Sequence, residues 1–273
     1  MPPATSSFGG EIRVTHIGTA TAIIQIDNDI NLLTDPYFSP SGTSFNRGYI
    51  TLTSSYAPVL APSDLPPIDA VLLSHEDHPD NLDEIGRRLL DGRKVLTTRA
   101  GARALAPRPG VRGLAPWETV SVALGGRVFE VTGTPCKHLP GGECTGFVLT
   151  TAGFGTHPAD GKPNAVYFSG DTVYDADLQL AERIREKWHV SLALLNLGAA
   201  KVPAGEDSLG ITMDGAQASW LVKDLGADVV VPMHFEGWSH FTEGRDSLAR
   251  AFDVGGIADR VVFLEPGVAT RVL

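Results

Sequence analysis

The chain has 273 residues and a mass of 29.0 kDa, enough for one or two domains with a large buried core. Its 42% hydrophobic and 20% charged content is that of a globular protein and argues against disorder. With 22 basic against 32 acidic residues, a formal charge of −10 disfavours a broad phosphate-binding surface, so nucleic acid is not an expected partner.

In chain order, residues 1–10 (MPPATSSFGG) are small and polar and read as a flexible tail ahead of a single domain over 11–273. They lack a basic stretch followed by an apolar one. No apolar run approaches the roughly 20 residues of a membrane span, so a cytoplasmic protein with no membrane partner is expected. RVTHI, TAIIQID and INLLTD read as strands, the last two joined by a turn at Asp27-Asn28-Asp29. Residues 36–67 are proline-rich without a sustained period and read as a long irregular loop, a feature that is usually functional. IDAVLLS (68–74) is a continuous apolar run suited to a strand buried on both faces. Residues 81–91 follow with helical spacing of Leu82, Ile85, Leu89 and Leu90.

KVLTT, TVSVAL, RVFEVTGT, CTGFVLT and NAVYFSG predict further strands, with a hairpin turn at residues 125–127. Beyond Asp171 strands and helices alternate: helices over 177–187, 213–225 (capped by Thr212 or Asp214) and 243–252, and strands in VSLALLNL, ADVVVPMH, RVVFLEP and VATRVL. Neither a linker nor a repeat divides the chain. One α/β domain with two sheets and outer helices accommodates this order.

Chemistry concentrates in the histidines, eight in number. His75 and His78 lie in a run His75-Glu76-Asp77-His78-Pro79-Asp80 directly after a buried strand. His138 follows RVFEVTGT, Asp171 follows NAVYFSG, and His234 closes VVVPM. Four strand ends thus each deliver imidazole or carboxylate, where α/β sheets build their sites and in the ligand types that Zn²⁺ prefers. The 75–80 run also reads as a polar turn, with Asp77 or His78 capping a helix that Pro79 begins. His157 falls at an expected hairpin tip, His189 after a helix end, and His240 beside Trp238 and Phe241 in an aromatic segment suited to lining a substrate pocket. Cys136 and Cys144 are too few for a disulfide framework and are expected as buried strand-end thiols. Cys136 is a minor candidate for a thiolate ligand.

Five blocks together resemble the metallo-β-lactamase-fold hydrolases, and among them the branch of ascorbate-6-phosphate lactonases and N-acyl-phosphatidylethanolamine phospholipase D. They are THIGTATAIIQIDNDINLLTDPYF (15–38), DAVLLSHEDHPDNLD (69–83), TPCKHLPG with GFVL (134–149), YFSGDTVYD (167–175) and VVVPMHFEG (229–237). The resemblance implies a four-layer αββα sandwich holding one or two zinc ions. It implies His138, Asp171 and His234 as ligands, with Asp35 as an acid that steadies them. The family's His-x-His-x-Asp-His fits in two ways. With one residue inserted, His75 and His78 are the histidines, Asp80 the aspartate, and Asn81 stands where the last histidine should be. Without it, Asp77 replaces the second histidine and Asp80 the last. The gapped form keeps Leu82-Asp83 in place and is preferred. Asn81 is a weak ligand, so the second position is expected to bind less tightly, or to take Mn²⁺ or Fe²⁺.

The implied activity is hydrolysis of an ester, lactone, amide or phosphoester of a small molecule by a metal-bound hydroxide. Asp80 orients the nucleophile or takes its proton, Trp238 and His240 contact substrate, and the lactonase-like branch favours esters or lactones. The family usually has Gly-His-Ala where this chain has Gly18-Thr19-Ala20, so the nearby His16 is expected to pack or to support the site rather than to ligate. The rival reading is a metal-binding or scaffold member of the fold without catalysis.

Overall fold

A computed structural model describes residues 8–48, 50–139, 141–204 and 207–273. Continuous apolar runs form the inner strands, and seven of them build one sheet in the spatial order Thr270–Arg271, Ile12–Gly18, Thr21–Ile26, Ile30–Thr34, Ala70–Leu72, Lys94–Thr98, Val111–Leu114. Its first half is antiparallel and its second half, from Ile30–Thr34 onward, is parallel. The second sheet runs Val229–Met233, His189–Asn196, Asn164–Phe168, Thr145–Thr150, Arg127–Pro135, Thr119–Leu124, parallel over the first three strands and antiparallel thereafter. The hairpin between the last two turns on Gly125 and Gly126, with φ of 51° and 74°. A two-residue turn of the twist that suits a hairpin requires that left-handed backbone.

The sheets face each other across a core that includes Ile24, Leu32 and Leu72 from one and Phe129, Phe147 and Leu192 from the other. Helices Glu84–Leu89 and Arg99–Ala104 accompany the first sheet, whose outer face packs Leu33, Val71 and Val95 with Leu82, Leu90 and Leu105. Helices Leu180–Lys187, Gly215–Leu225 and Arg245–Val254 cover the second through Ile184, Leu221, Val222, Leu248 and Phe252. Helix, sheet, sheet, helix is the αββα layering.

Several expectations change. Phe8 is buried against Phe154, with ring centroids 4.6 Å apart, and Gly9 N–H bonds the Phe154 carbonyl. Residues 8–10 therefore belong to the body, while 1–7 of the expected tail lie outside the described residues. The 36–67 segment holds a hairpin, Ser44–Asn46 with Thr51–Thr53. The helix after the histidine run begins at Glu84, and its cap is Asp83, whose side chain accepts from Gly86 N–H at 2.6 Å. Neither Asp77 nor His78 caps it. Asp214 caps Gly215–Leu225. RVVFLEP forms a single bridge, Val261 to Val230; Phe263 packs on Phe235 and Phe252 instead. Helix Arg99–Ala104, strand Val111–Leu114 and hairpin Lys201–Ala204 with Asp207–Gly210 were not expected. Among the described residues no helix is long and apolar enough to cross a membrane.

Candidate metal centre

Strand ends of both sheets meet on one edge of the sandwich. Ile30–Thr34 delivers Asp35, Ala70–Leu72 leads into Ser74 and His75, Asn164–Phe168 into Asp171, and Val229–Met233 into His234. The backbone turns sharply at two of these ends, with φ of 28° at Asp35 and 55° at His234. Non-glycine residues rarely adopt such angles, and they cluster at functional sites.

Three imidazoles converge. His75 Nε2 lies 3.1 Å and His138 Nε2 3.0 Å from His78 Nδ1, and one ligand atom from each of the three falls within 4.8 Å of the others. The far sides of two rings are committed. Ser74 Oγ donates to Asp35 Oδ2 at 2.7 Å, so it accepts from His75 Nδ1 at 2.8 Å. His138 Nδ1 donates to the Ile211 carbonyl at 2.7 Å. Both Nε2 atoms therefore point bare lone pairs inward, and His78 Nδ1 carries at most one hydrogen to share between them. Burial holds His75 well below the usual histidine range and His138 below it, so protonation does not resolve the clash. A cation does: the spacing is near the roughly 3.3 Å edge of a tetrahedron with metal–nitrogen bonds of about 2.0–2.1 Å.

Beside the three lies a more open group of Asp80, Asp171, His234 and His240. His234 Nδ1 is 3.3 Å and His138 Nε2 4.0 Å from the Asp171 carboxylate, which Asn196 Nδ2 also holds at 2.7 Å. Burial works against a charged Asp171, but His234, His138 and His75 outweigh it and keep the carboxyl well below its ordinary range. The same pairing lifts His234 above 6.5 against its own burial. Asp80 is buried, its Oδ2 3.8 Å from His240 Nε2. Asp80 Oδ1, His234 Nε2 and His240 Nδ1 have no hydrogen-bond partner. Buried polar atoms are seldom left so. The donor set of His75, His78 and His138 fits one cation; Asp80, Asp171 and His234 line the same cavity without bringing their donor atoms as close together.

Asp35 accepts from Ser74 N–H at 2.6 Å, from Ser74 Oγ and from Asn81 Nδ2 at 3.2 Å; burial raises it to about 7. Asn81 is thus turned toward Asp35. Asp77 lies elsewhere, accepting Gly142 N–H at 2.8 Å. His16 bonds the Thr19 carbonyl. Both thiols are free and half-buried: Cys136 donates to the Ser169 carbonyl, Cys144 to that of Asp171 while also touching His75 Nδ1 at 3.6 Å. Burial pushes the Cys144 thiol well up, and Cys136, bonded to the Ser169 carbonyl, is not grouped with the three histidines.

A cavity of about 20 Å³ opens onto His78, Asp80, His138, Asp171, His234 and His240. Arg47, Ile50, Leu52 and Val202 close it, and none of these was flagged by the sequence. His240 sits in that wall as expected. Trp238 does not; it packs behind it on Tyr37, ring centroids 5.1 Å apart. Trp238 thus packs with Leu52, a residue of the cavity wall, and does not line the cavity itself. A larger cavity of about 210 Å³, by Tyr174 and Asp224, contains no cluster of metal-binding side chains among its described residues. The orienting partners Ser74 and Asn196 also escaped notice, although each stands at the C-terminal end of an apolar strand.

Comparison with known proteins identifies the family and the fold. The family described as Beta-lactamase superfamily domain matches residues 30–235. A protein named UPF0173 metal-dependent hydrolase from Methanopyrus kandleri is 24% identical over 94% of this chain and 98% of its own length. Among solved structures, an isothiocyanate hydrolase from Delia radicum gut bacteria superposes with a TM-score of 0.74 at 20% identity, covering 94% of this chain and 98% of that one. A metallo hydrolase from the archaeon Ignicoccus hospitalis does so with a TM-score of 0.70 at 22% identity, covering 96% and 98%. The chain belongs to the beta-lactamase superfamily domain family, and its αββα sandwich is the metallo-β-lactamase fold.

Proposed function

We propose that this protein is a metal-dependent hydrolase that uses Zn²⁺, or Mn²⁺ or Fe²⁺ in its place, on an ester or lactone of a small molecule. The observation that carries the reading is the inward convergence of three imidazoles, two of which, His75 and His138, already have their outer nitrogens bonded. Such an ion, when bound, lowers the pKa of a coordinated water to about 7 and polarises the oxygen under attack. The side chains supply the rest. His75, His78 and His138 hold the first cation, and Asp80, Asp171 and His234 hold a second. Asp35, through Ser74, fixes the ring of His75, and the Ile211 carbonyl fixes that of His138, as outer partners of ligating histidines do. Asp80, buried with one oxygen unbonded, orients the attacking water and accepts its proton. Ile50, Leu52 and Val202 keep bulk water from the reacting atoms.

The preference for esters and lactones rests on the likeness to the lactonase branch; isothiocyanates, the substrate in one neighbour's name, belong in the same screen. A member of the fold that binds metal without turnover is the second reading, favoured by Asn81 facing Asp35 rather than the cavity. The test is metal analysis of the purified chain joined to a screen of esters, lactones, phosphoesters and isothiocyanates. One to two metal ions per chain with turnover of at least one class is the expected result. A metal-free protein of full thermal stability defeats the metal centre, and a loaded protein inert to every class defeats the hydrolase.

A further inference from the structure

The three parallel strands of the second sheet begin on the edge opposite the metal centre. A tight turn folds against that edge: Thr156 bridges Pro163, His157 N–H bonds the Lys162 carbonyl, and Gly161 N–H bonds that of His157. The turn carries His157 and Asp160. His189 opens the strand His189–Asn196, and Asp228 immediately precedes Val229–Met233.

These residues form a second His/Asp cluster that the centre above does not use. His157, Asp160 and His189 each offer a ligand atom, all within 4.8 Å of one another. His189 Nδ1 lies 3.2 Å from Asp160 Oδ2, and its Nε2 lies 2.8 Å from Asp228 Oδ2. His157 Nδ1 is 3.8 Å from the other Asp160 oxygen and accepts from Ala159 N–H at 3.3 Å, so that nitrogen carries a lone pair. The two rings lie face to face, parallel, with centroids 3.5 Å apart.

We propose that this cluster is a structural site for a divalent transition metal such as Zn²⁺, held by His157, Asp160 and His189. Two imidazoles and one carboxylate form a set that borderline ions prefer over Ca²⁺ or Mg²⁺. Asp228 plays the outer part: accepting Nε2–H fixes the His189 tautomer that turns a bare Nδ1 toward Asp160, the arrangement seen behind ligating histidines. A metal lies in the plane of each ring that binds it, so loading moves His157 out of the stack. Its place on a surface turn makes that motion inexpensive. The bound ion ties the turn at 156–163 to the start of an inner strand. His157 and His189 are half-buried and Asp160 is exposed, so this site binds more weakly than the buried centre.

The experiment titrates chelator-stripped protein with Zn²⁺ alone, in competition with a chromophoric chelator, for wild type, His157→Ala and Asp160→Asn. Both substitutions fall on a surface turn remote from the other centre. Wild type should bind one zinc more than either variant, the missing ion coming from the weaker class while the tight class is unchanged. Zinc should also raise the wild-type Tm further than that of either variant. Equal stoichiometry in all three proteins overturns the proposal; an imidazolium of His189 clamped between Asp160 and Asp228 would give that result. Loss of the tight class alone would count against the catalytic centre and leave this site standing.

Discussion

His234 and Asp80 make the clearest demands at the scale of single residues. In the metal-free chain His234 keeps its proton above pH 6.5 because Asp171 outweighs the cost of burial. That pairing stabilises the metal-free fold fully below pH 6.5, and the contribution fades as pH rises through the raised value. A cation needs the bare ring, so uptake expels the proton. Apparent zinc affinity of the second position should therefore climb by up to about tenfold per pH unit below the raised value and level off above it. His75 and His138, held low by burial, have no proton to give. Competition titrations at successive pH values check this, and an affinity flat from pH 6 to 8 contradicts it. For Asp80, exchange to Asn keeps the shape and removes the charge. Asp80→Asn should remain folded and lose about 10²–10⁴ in kcat, with a smaller change in KM; steady-state kinetics on any substrate found would show it, and unchanged turnover would remove Asp80 from the mechanism.

At the scale of elements, the helix Glu84–Leu89 anchors the long segment that walls the cavity. Asp83 caps it with one oxygen, while the other accepts Phe38 N–H at 3.0 Å and Ser39 Oγ at 2.6 Å. Asp83→Ala should cost about 2–3 kcal/mol by urea unfolding, since a cap and two further bonds go together. Gly86 packs so closely that an added Cβ would stand 1.8 Å from the Pro36 carbonyl oxygen. Gly86→Ala should destabilise by roughly 1–3 kcal/mol despite a better helix propensity, because overpacking against backbone exceeds the gain of about 1 kcal/mol. A more stable Gly86→Ala variant would contradict that packing. These details were hidden in the sequence, where Pro79 and Asp77 imitate a helix start. The strands that deliver His75, Asp171 and His234 were legible, since each is a continuous apolar run broken by a single polar cluster. The hairpin Lys201–Ala204 with Asp207–Gly210 was not, because its mostly exposed residues carry no apolar period. What orients the ligands stayed equally hidden: the Ile211 carbonyl and Asn196 reach His138 and Asp171 only through tertiary folding.

For the whole molecule, the site is also a stability element. Asp35, Asp80 and Asp171 are all buried at one edge; burial raises Asp35 to about 7, so its charge costs stability unless a cation answers it, whereas His234 already answers that of Asp171. An ion bound only by the folded state at about 1,000 times its Kd contributes about 4 kcal/mol. Saturating zinc should thus raise Tm on the order of 10 °C over chelator-stripped protein, measured by calorimetry; coincident transitions would show that the cluster folds without its ion. The central claim concerns catalysis, and the most direct measurement is turnover of the ester and lactone panel by one preparation, as purified, after chelation and after zinc is restored. The account predicts hydrolysis that disappears with the metal and returns with it. Turnover indifferent to chelation, or none from a fully loaded protein, would contradict it.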